Sequence, residues 1–477
     1  MIDIGDLRLE SQSMPGGGHK PKHTQLFEAI RHKIVAGLWR NQAQLPSTRA
    51  LAAELALSRN TVISAYEQLV AEGYIESRRG AGYYVAIALP EQFIGSAQIT
   101  ELSTSAPAPQ DFNQPFAPGV ADLERFPCHK WQRYVQRHST RKSLLGHQSR
   151  QGYLPLRETL SEYLSSSRSV SCNPQRVIIT SGAQQALTIA LMATVSREQD
   201  VLMEQPGYAQ MTNVIELLGY RLTPVTVSPY HGLNLEQVLA SRAKALYITP
   251  SNQYPMGTSL TTEQRLSLIE WATNNDSWII EDDYDSEFQF AHRPYSSLQG
   301  LAAGIHQDER VIYIGSFSKT MFNGLRLGYL VVPEHLVESC LALKNILTGD
   351  SPTHTQAALA EFIAEGEFVR HLRRMRRLYH QKHAQMLASL ARHLGERVEV
   401  VSQAAGLHIT LRWYAGIEEQ IWVERAKQQG IVIRPLSYYQ SGGASKRDWR
   451  GAVLGFGNVA IDQIDTLIQR LAKLFTI

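Results

Sequence analysis

The chain has 477 residues, 43% of them hydrophobic and 19% charged, with a formal net charge of +3. That length exceeds what a single hydrophobic core supports, so two or three domains are expected, and the composition excludes a chain whose main state is disordered. Cys128, Cys172 and Cys340 are far apart and form no CxxC pair, which excludes a disulfide framework and a zinc knuckle and fits a reducing cytosol.

At the N-terminus, MIDIGDLRLE lacks a basic flank followed by a long apolar stretch, and no run reaches the roughly 18 apolar residues of a membrane span. A cytoplasmic protein with no membrane partner is therefore expected. Residues 1–20 read as a flexible, Gly/Pro-rich tail. A helix is predicted from Gln25 to Leu38, with Leu26, Ile30, Ile34 and Leu38 on one stripe. Next come a short helix capped by Ser47 and a third capped by Ser58, its apolar face Val62, Ala65, Tyr66, Leu69 and Val70 and its end at Gly73. YIESRRGAGYYVA alternates around a glycine turn and reads as a β-hairpin.

Three helices and a hairpin over residues 21–87 make a winged helix-turn-helix, so double-stranded DNA is the expected partner. The third helix opens on Arg59, Asn60 and Thr61, where base edges are reached, and Arg59 can pair in bidentate fashion with guanine. Arg49 suits a backbone phosphate, and Arg78 and Arg79 lie at the wing tip beside Gly80 and Gly82. The sequence LPSTR, then SRNTV, then AYEQLVAEGYI and a glycine wing resembles the DNA-binding domain of the GntR family over its full length. The resemblance implies DNA contacts from Arg49, Ser58, Arg59, Thr61, Arg79 and Gly80, and operator binding as a homodimer.

Residues 88–115, rich in Pro, Ala and Ser, read as a linker. Beyond it, from residue 116 to 477, apolar runs of strand length (RVIITS, DVLMEQP, ALYITPS, WIIEDDY, VIYIGS) alternate with helix-length stretches. This predicts a mostly parallel α/β sheet covered on both faces, with ligands bound outside the carboxyl ends of its strands.

Those ends carry a matching set. TSGAQQAL places the backbone of Gly182, Ala183 and Gln184 as an anion site at a helix N-terminus. WIIEDDY ends in Asp282, Asp283 and Tyr284, ITPSNQ in Asn252 and Gln253, and GSFSK in Ser316, Ser318 and Lys319, with Arg326 following. A phosphate cradle, a carboxylate, a phenol and a lysine are together what pyridoxal 5'-phosphate (PLP) requires. No GxGxxG and no P-loop motif occurs, so a dinucleotide or nucleoside triphosphate site is unsupported, and no metal site is expected.

The large domain resembles the fold-type I aminotransferases, with a large parallel-sheet domain and a small α/β domain. The whole chain is similar to the MocR subfamily of GntR regulators, in which a winged helix is fused to such a domain. The resemblance implies Lys319 as the Schiff-base lysine, Asp282 at the pyridine nitrogen, Tyr284 at the cofactor oxygen and Tyr208 stacked on the ring. It further implies Ser181, Gly182, Ala183, Ser316, Ser318 and Arg326 around the phosphate, and Arg450 on the carboxylate of an effector. Asp283 competes with Asp282, since register alone separates them. Two positions depart from the family: Tyr254-Pro-Met-Gly stands where active aminotransferases have Asn before Pro-Thr-Gly, so a hydrogen bond to the cofactor oxygen is absent or comes from Asn252 or Gln253. His147 stands where a tyrosine commonly reaches the partner subunit's phosphate. The expectation is a transcription regulator sensing an amino compound, or PLP itself, by aldimine exchange at Lys319. The alternative is a working aminotransferase with an accessory DNA-binding domain.

Overall fold

The structure is a computed structural model that describes residues 21–87, 114–290, 295–441 and 447–476. The predicted tail and all of the predicted linker except Gln114 and Pro115, with Ile87 its last preceding described residue, lie outside them. The chain divides into two compact units, Met1–Gln110 and Asp111–Ile477.

In the first unit, helix α1 spans Lys22–Val35, α2 Thr48–Glu54 and α3 Arg59–Ala71, followed by strands β1 (Ile75–Arg78) and β2 (Gly82–Val85). The Ser47 side chain accepts the Ala50 amide and that of Ser58 the Thr61 amide, so both predicted caps form. Leu26, Phe27, Ile30 and Ile34 of α1 pack with Val62, Tyr66 and Leu69 of α3 and with Ile75 and Val85 of the hairpin. Two predicted core positions are exposed instead: α1 ends before Leu38, with Gly37 at φ 71°, and Val70 sits at the edge of the α3 stripe.

The second unit holds an eight-stranded sheet. Its strands are β3 (Val177–Thr180), β4 (Asp200–Gln205), β5 (Arg221–Ser228), β6 (Gly232–Leu233), β7 (Ala245–Ile248), β8 (Trp278–Asp283), β9 (Val311–Ser316) and β10 (Gly328–Val331), in the order β3-β10-β9-β8-β7-β4-β5-β6. The core of the sheet, from β9 across to β5, is parallel. All five predicted strands are present. β10 was not foreseen; it runs antiparallel between β9 and β3, and its GYLV is too short to separate from a helix by pattern. A second sheet of β11 (Glu399–Val400), β12 (His408–Trp413), β13 (Arg434–Pro435) and β14 (Arg450–Gly455), in the order β11-β12-β14-β13, is antiparallel throughout.

Helix α4, Ala183–Thr194, follows β3, and the long α5, Glu367–His393, leads to the second sheet. The basic run within α5 is amphipathic: Leu372, Met375 and Tyr379 are buried while Arg373, Arg374 and Arg377 are exposed. Before the first large-domain helix, residues 114–122 form a strap held from several sides. The amides of Val432 and Gly455 donate to the carbonyls of Pro115 and Phe116, Asn458 Nδ2 donates to that of Gln114, and Lys382 Nζ binds Asp122 Oδ2 at 2.8 Å. No described helix is long and apolar enough to cross a membrane.

Candidate functional site

The carboxyl ends of β3, β7, β8 and β9 converge on a cavity of about 390 Å³, within the range of small-molecule sites. Ala183, Tyr208, Asp282, Tyr284, Ser316, Ser318, Lys319 and Arg326 all line it. Ordinary strand geometry explains the placement of the acids. Successive residues of a strand face opposite sides of the sheet, so Asp282 turns into the cavity while Asp283 turns away, where Arg168 Nε meets it at 2.7 Å and Tyr313 donates to it at 2.5 Å. The choice that register left open falls geometrically on Asp282.

Asp282 Oδ2 accepts from Tyr247 at 2.8 Å, and its Oδ1 is buried without a protein partner. The hydroxyl of Tyr284 is likewise buried and unpartnered. Burial pushes the Asp282 carboxyl up to about 7, with Asp283 adding to the effect and the Tyr247 hydrogen bond opposing it. These are the two atoms that a protonated pyridine nitrogen and a phenolate oxygen would satisfy, so the residues fit PLP. Lys319 donates from Nζ to the carbonyl of Gly119. Burial lowers its ammonium to about 8 despite Asp285 and Asp282 nearby, which raises the share of free amine that nucleophilic attack needs.

At the other end of the cavity Gly182, at φ 100°, caps α4. A Cβ there would meet the guanidinium of Arg326 at 3.4 Å, so the arginine lies directly over the helix N-terminus, where amide groups and helix dipole favour an anion. Gly182 and Ser181 are not themselves lining residues; the Ser181 amide donates to Gln185 Oε1 at 2.7 Å. Asn252 also stands behind the wall, donating to Asp285 Oδ1 at 2.9 Å. His147 is exposed and lies 3.2 Å from Asp350, away from this chain's cavity.

Arg450 is not brought to the cavity. It opens β14, donates to the carbonyl of Tyr414 and forms an ion pair with Glu418. Gly119, Tyr247, Tyr254, Asp285 and His408 are among the lining residues that escaped sequence reasoning as cofactor or effector groups. Tyr254 was noted only as a departure, and His408, 89 positions after Lys319, carries no local motif.

On the winged helix, Arg49, Ser58, Arg59, Arg79 and Gly80 are exposed and Thr61 is half-buried, its hydroxyl 2.8 Å from that of Ser58. Arg78 is drawn onto Glu76 and Gln42 and over the ring of Tyr84, so it is less free than its neighbour Arg79.

Residues 22–85 match the model of bacterial regulatory proteins of the gntR family, and residues 117–450 that of aminotransferase class I and II. The chain is 37% identical to the probable rhizopine catabolism regulatory protein MocR of Rhizobium meliloti, over 92% of this chain and 90% of that one. It is 31% identical to the pyridoxine biosynthesis transcriptional regulator PdxR of Corynebacterium glutamicum, over 96% of each. Among solved structures, the α-aminoadipate aminotransferase LysN of Thermus thermophilus, complexed with N-(5'-phosphopyridoxyl)-L-leucine, superposes with a TM-score of 0.70 at 26% identity, covering 76% of this chain and 92% of that one. The kynurenine aminotransferase of Pyrococcus horikoshii shares the fold at a TM-score of 0.68 and 24% identity, covering 76% and 90%.

Proposed function

The chain belongs to the MocR subfamily of GntR transcription regulators, winged-helix proteins fused to an aminotransferase class I and II domain, and from that premise we propose that its large domain binds PLP at Lys319 and senses an amino compound or PLP itself. The observation that carries this reading is the pair of buried, unpartnered atoms, Asp282 Oδ1 and Tyr284 OH, in one cavity with a lysine of lowered pKa and an arginine over a helix N-terminus. When bound, PLP supplies an aldehyde that condenses reversibly with primary amines.

Each residue has a task in that reading. Lys319 offers the amine. Asp282 would face the pyridine nitrogen and, ionised, would hold a proton there. Tyr284 would donate to the phenolate oxygen, and Arg326, Ser316, Ser318 and the first amides of α4 would hold the phosphate. Tyr208, against Tyr254 at 6.3 Å between ring centroids, covers a ring face. An effector amine that displaces Lys319 would shift the equilibrium between conformations only through contacts that differ between them, and the winged helices would read the result on operator DNA, as a homodimer.

Lys319→Ala is the direct test. The purified parent should show the visible absorption of an imine with PLP, and the variant should fold but lack it. Undiminished absorption in the variant would sink the assignment. The same residues also permit a working transaminase; multiple-turnover production of a keto acid would favour that reading over the sensor.

A further inference from the structure

The long helix α5 carries a charge pattern that neither the cofactor site nor the packing of the fold uses. Residues 368–395 contain no Asp or Glu, and five arginines fall between positions 370 and 377. Packing fixes which way they face. Leu372, Met375 and Tyr379 are buried, so Arg370, Arg373, Arg374 and Arg377 lie together on the exposed side at helical spacing. Arg376 turns to the carbonyl of Glu287 at 2.7 Å, and Arg370 is held by Glu367 at 2.9 Å.

The other three meet no acid. Arg374 donates to the carbonyl of Arg125 and lies 3.2 Å from His371 Nδ1, both neutral groups. Among the described residues, Arg373 and Arg377 make no ion pair and no hydrogen bond. Exposed arginines elsewhere on the large domain do find acids: Arg137 meets Glu361, Arg221 meets Asp200 and Arg392 meets Asp465. Like charges at i and i+4 repel along a helix, so Arg373 and Arg377 are cations held side by side on a packed helix with nothing in the chain to offset them. A row of exposed guanidiniums fits a row of phosphates. The winged helix supplies the occupant: once it holds a duplex, DNA is present at high effective concentration beside the rest of the same chain, and contacts too weak to bind alone then count.

We infer that Arg373, Arg374 and Arg377 of α5 form a second DNA-binding surface, on the large domain, which contacts the phosphate backbone of the duplex without reading its sequence. This rests on DNA binding by the gntR-type domain.

The test uses the full chain and a random-sequence duplex of about 40 base pairs, with affinity followed by fluorescence anisotropy between about 50 and 200 mM NaCl. Each lost phosphate contact removes about 0.9 from the slope of log affinity against log salt, so Arg373→Gln with Arg377→Gln should lower that slope by about two. Arg373→Lys with Arg377→Lys keeps both charges and should keep most of the slope. Arg221→Gln with Arg392→Gln removes the same charge elsewhere on the domain and should leave the slope at the parent's value. Arg374→Gln alone should remove about one, an independent reading should the double variant fail to fold. A parental slope in the glutamine variants would overturn the inference and leave an acidic protein as the occupant of this face. An equal loss in the Arg221 and Arg392 control would overturn it too, by tracing the effect to net charge alone. A parent that binds no duplex refutes the DNA reading of the winged helix itself, so that failure is distinct.

Discussion

At the scale of the residue, the site is a matter of which way a side chain faces. Asp282 and Asp283 are chemically alike and adjacent, yet one ends beneath the cavity and the other against Arg168. A measurable consequence follows for the protein without its cofactor. The carboxyls of Asp282 and Asp285, ordinarily near 3.8, are raised by burial to about 7 and about 8. Between about pH 4 and 8 the folded state thus holds more protons than the unfolded one, so stability falls as pH rises through that window. Melting of the PLP-free chain should show this decline, and Asp282→Asn should reduce its slope; an unchanged slope would refute the placement. Local motifs carried the lysine, both acids, the phenol and the arginine of the cradle. Arg450 was misplaced because nearness to GFGN in sequence says nothing of facing: at the start of β14 it pairs across to Trp413 and reaches Glu418. His408 and Asp285 were invisible because only the tertiary fold brings them to the wall of one cavity.

At the scale of the element, α3 shows how a cap and an exposed arginine coincide at a helix start. Ser58 closes the first turn, and the next residue, Arg59, stands exposed at the helix start. Arg59→Ala should cost about 1 to 3 kcal/mol of specific binding if it pairs with a base. Arg49→Ala, on α2, should weaken all sequences alike and reduce the salt slope by about one. Competition binding against operator and random DNA at several salt concentrations separates these outcomes, and equal discrimination by the Arg59 variant and the parent would contradict the first. Caps, glycine turns and apolar periodicity made α2, α3 and the hairpin legible, because each is specified locally. The antiparallel β10 was not, because its place between β9 and β3 is decided by long-range pairing.

At the scale of the whole molecule, the strap of residues 114–122 ties the start of the large domain to elements far along the chain. Its buried anchor is the ion pair of Asp122 and Lys382, whose side chains are 10% and 2% exposed. Removing one partner of such a pair leaves the other charged and buried, so Lys382→Met should destabilise the large domain by about 3 kcal/mol or more, read as a lowered urea midpoint. A midpoint equal to the parent's would show that the pair contributes nothing. The same strap meets the cavity at Gly119, whose carbonyl accepts from Lys319 Nζ and, at 3.3 Å, from Asn323 Nδ2. An ammonium has three protons to donate, and a nitrogen joined by a double bond to carbon has one at most. Condensation of Lys319 with an aldehyde would leave at most one N–H for the strap carbonyl, and linkage would make any such coupling reciprocal: what loosens residues 114–122 would change the affinity of Lys319 for an aldehyde by the same factor as the aldehyde changes the equilibrium of the strap.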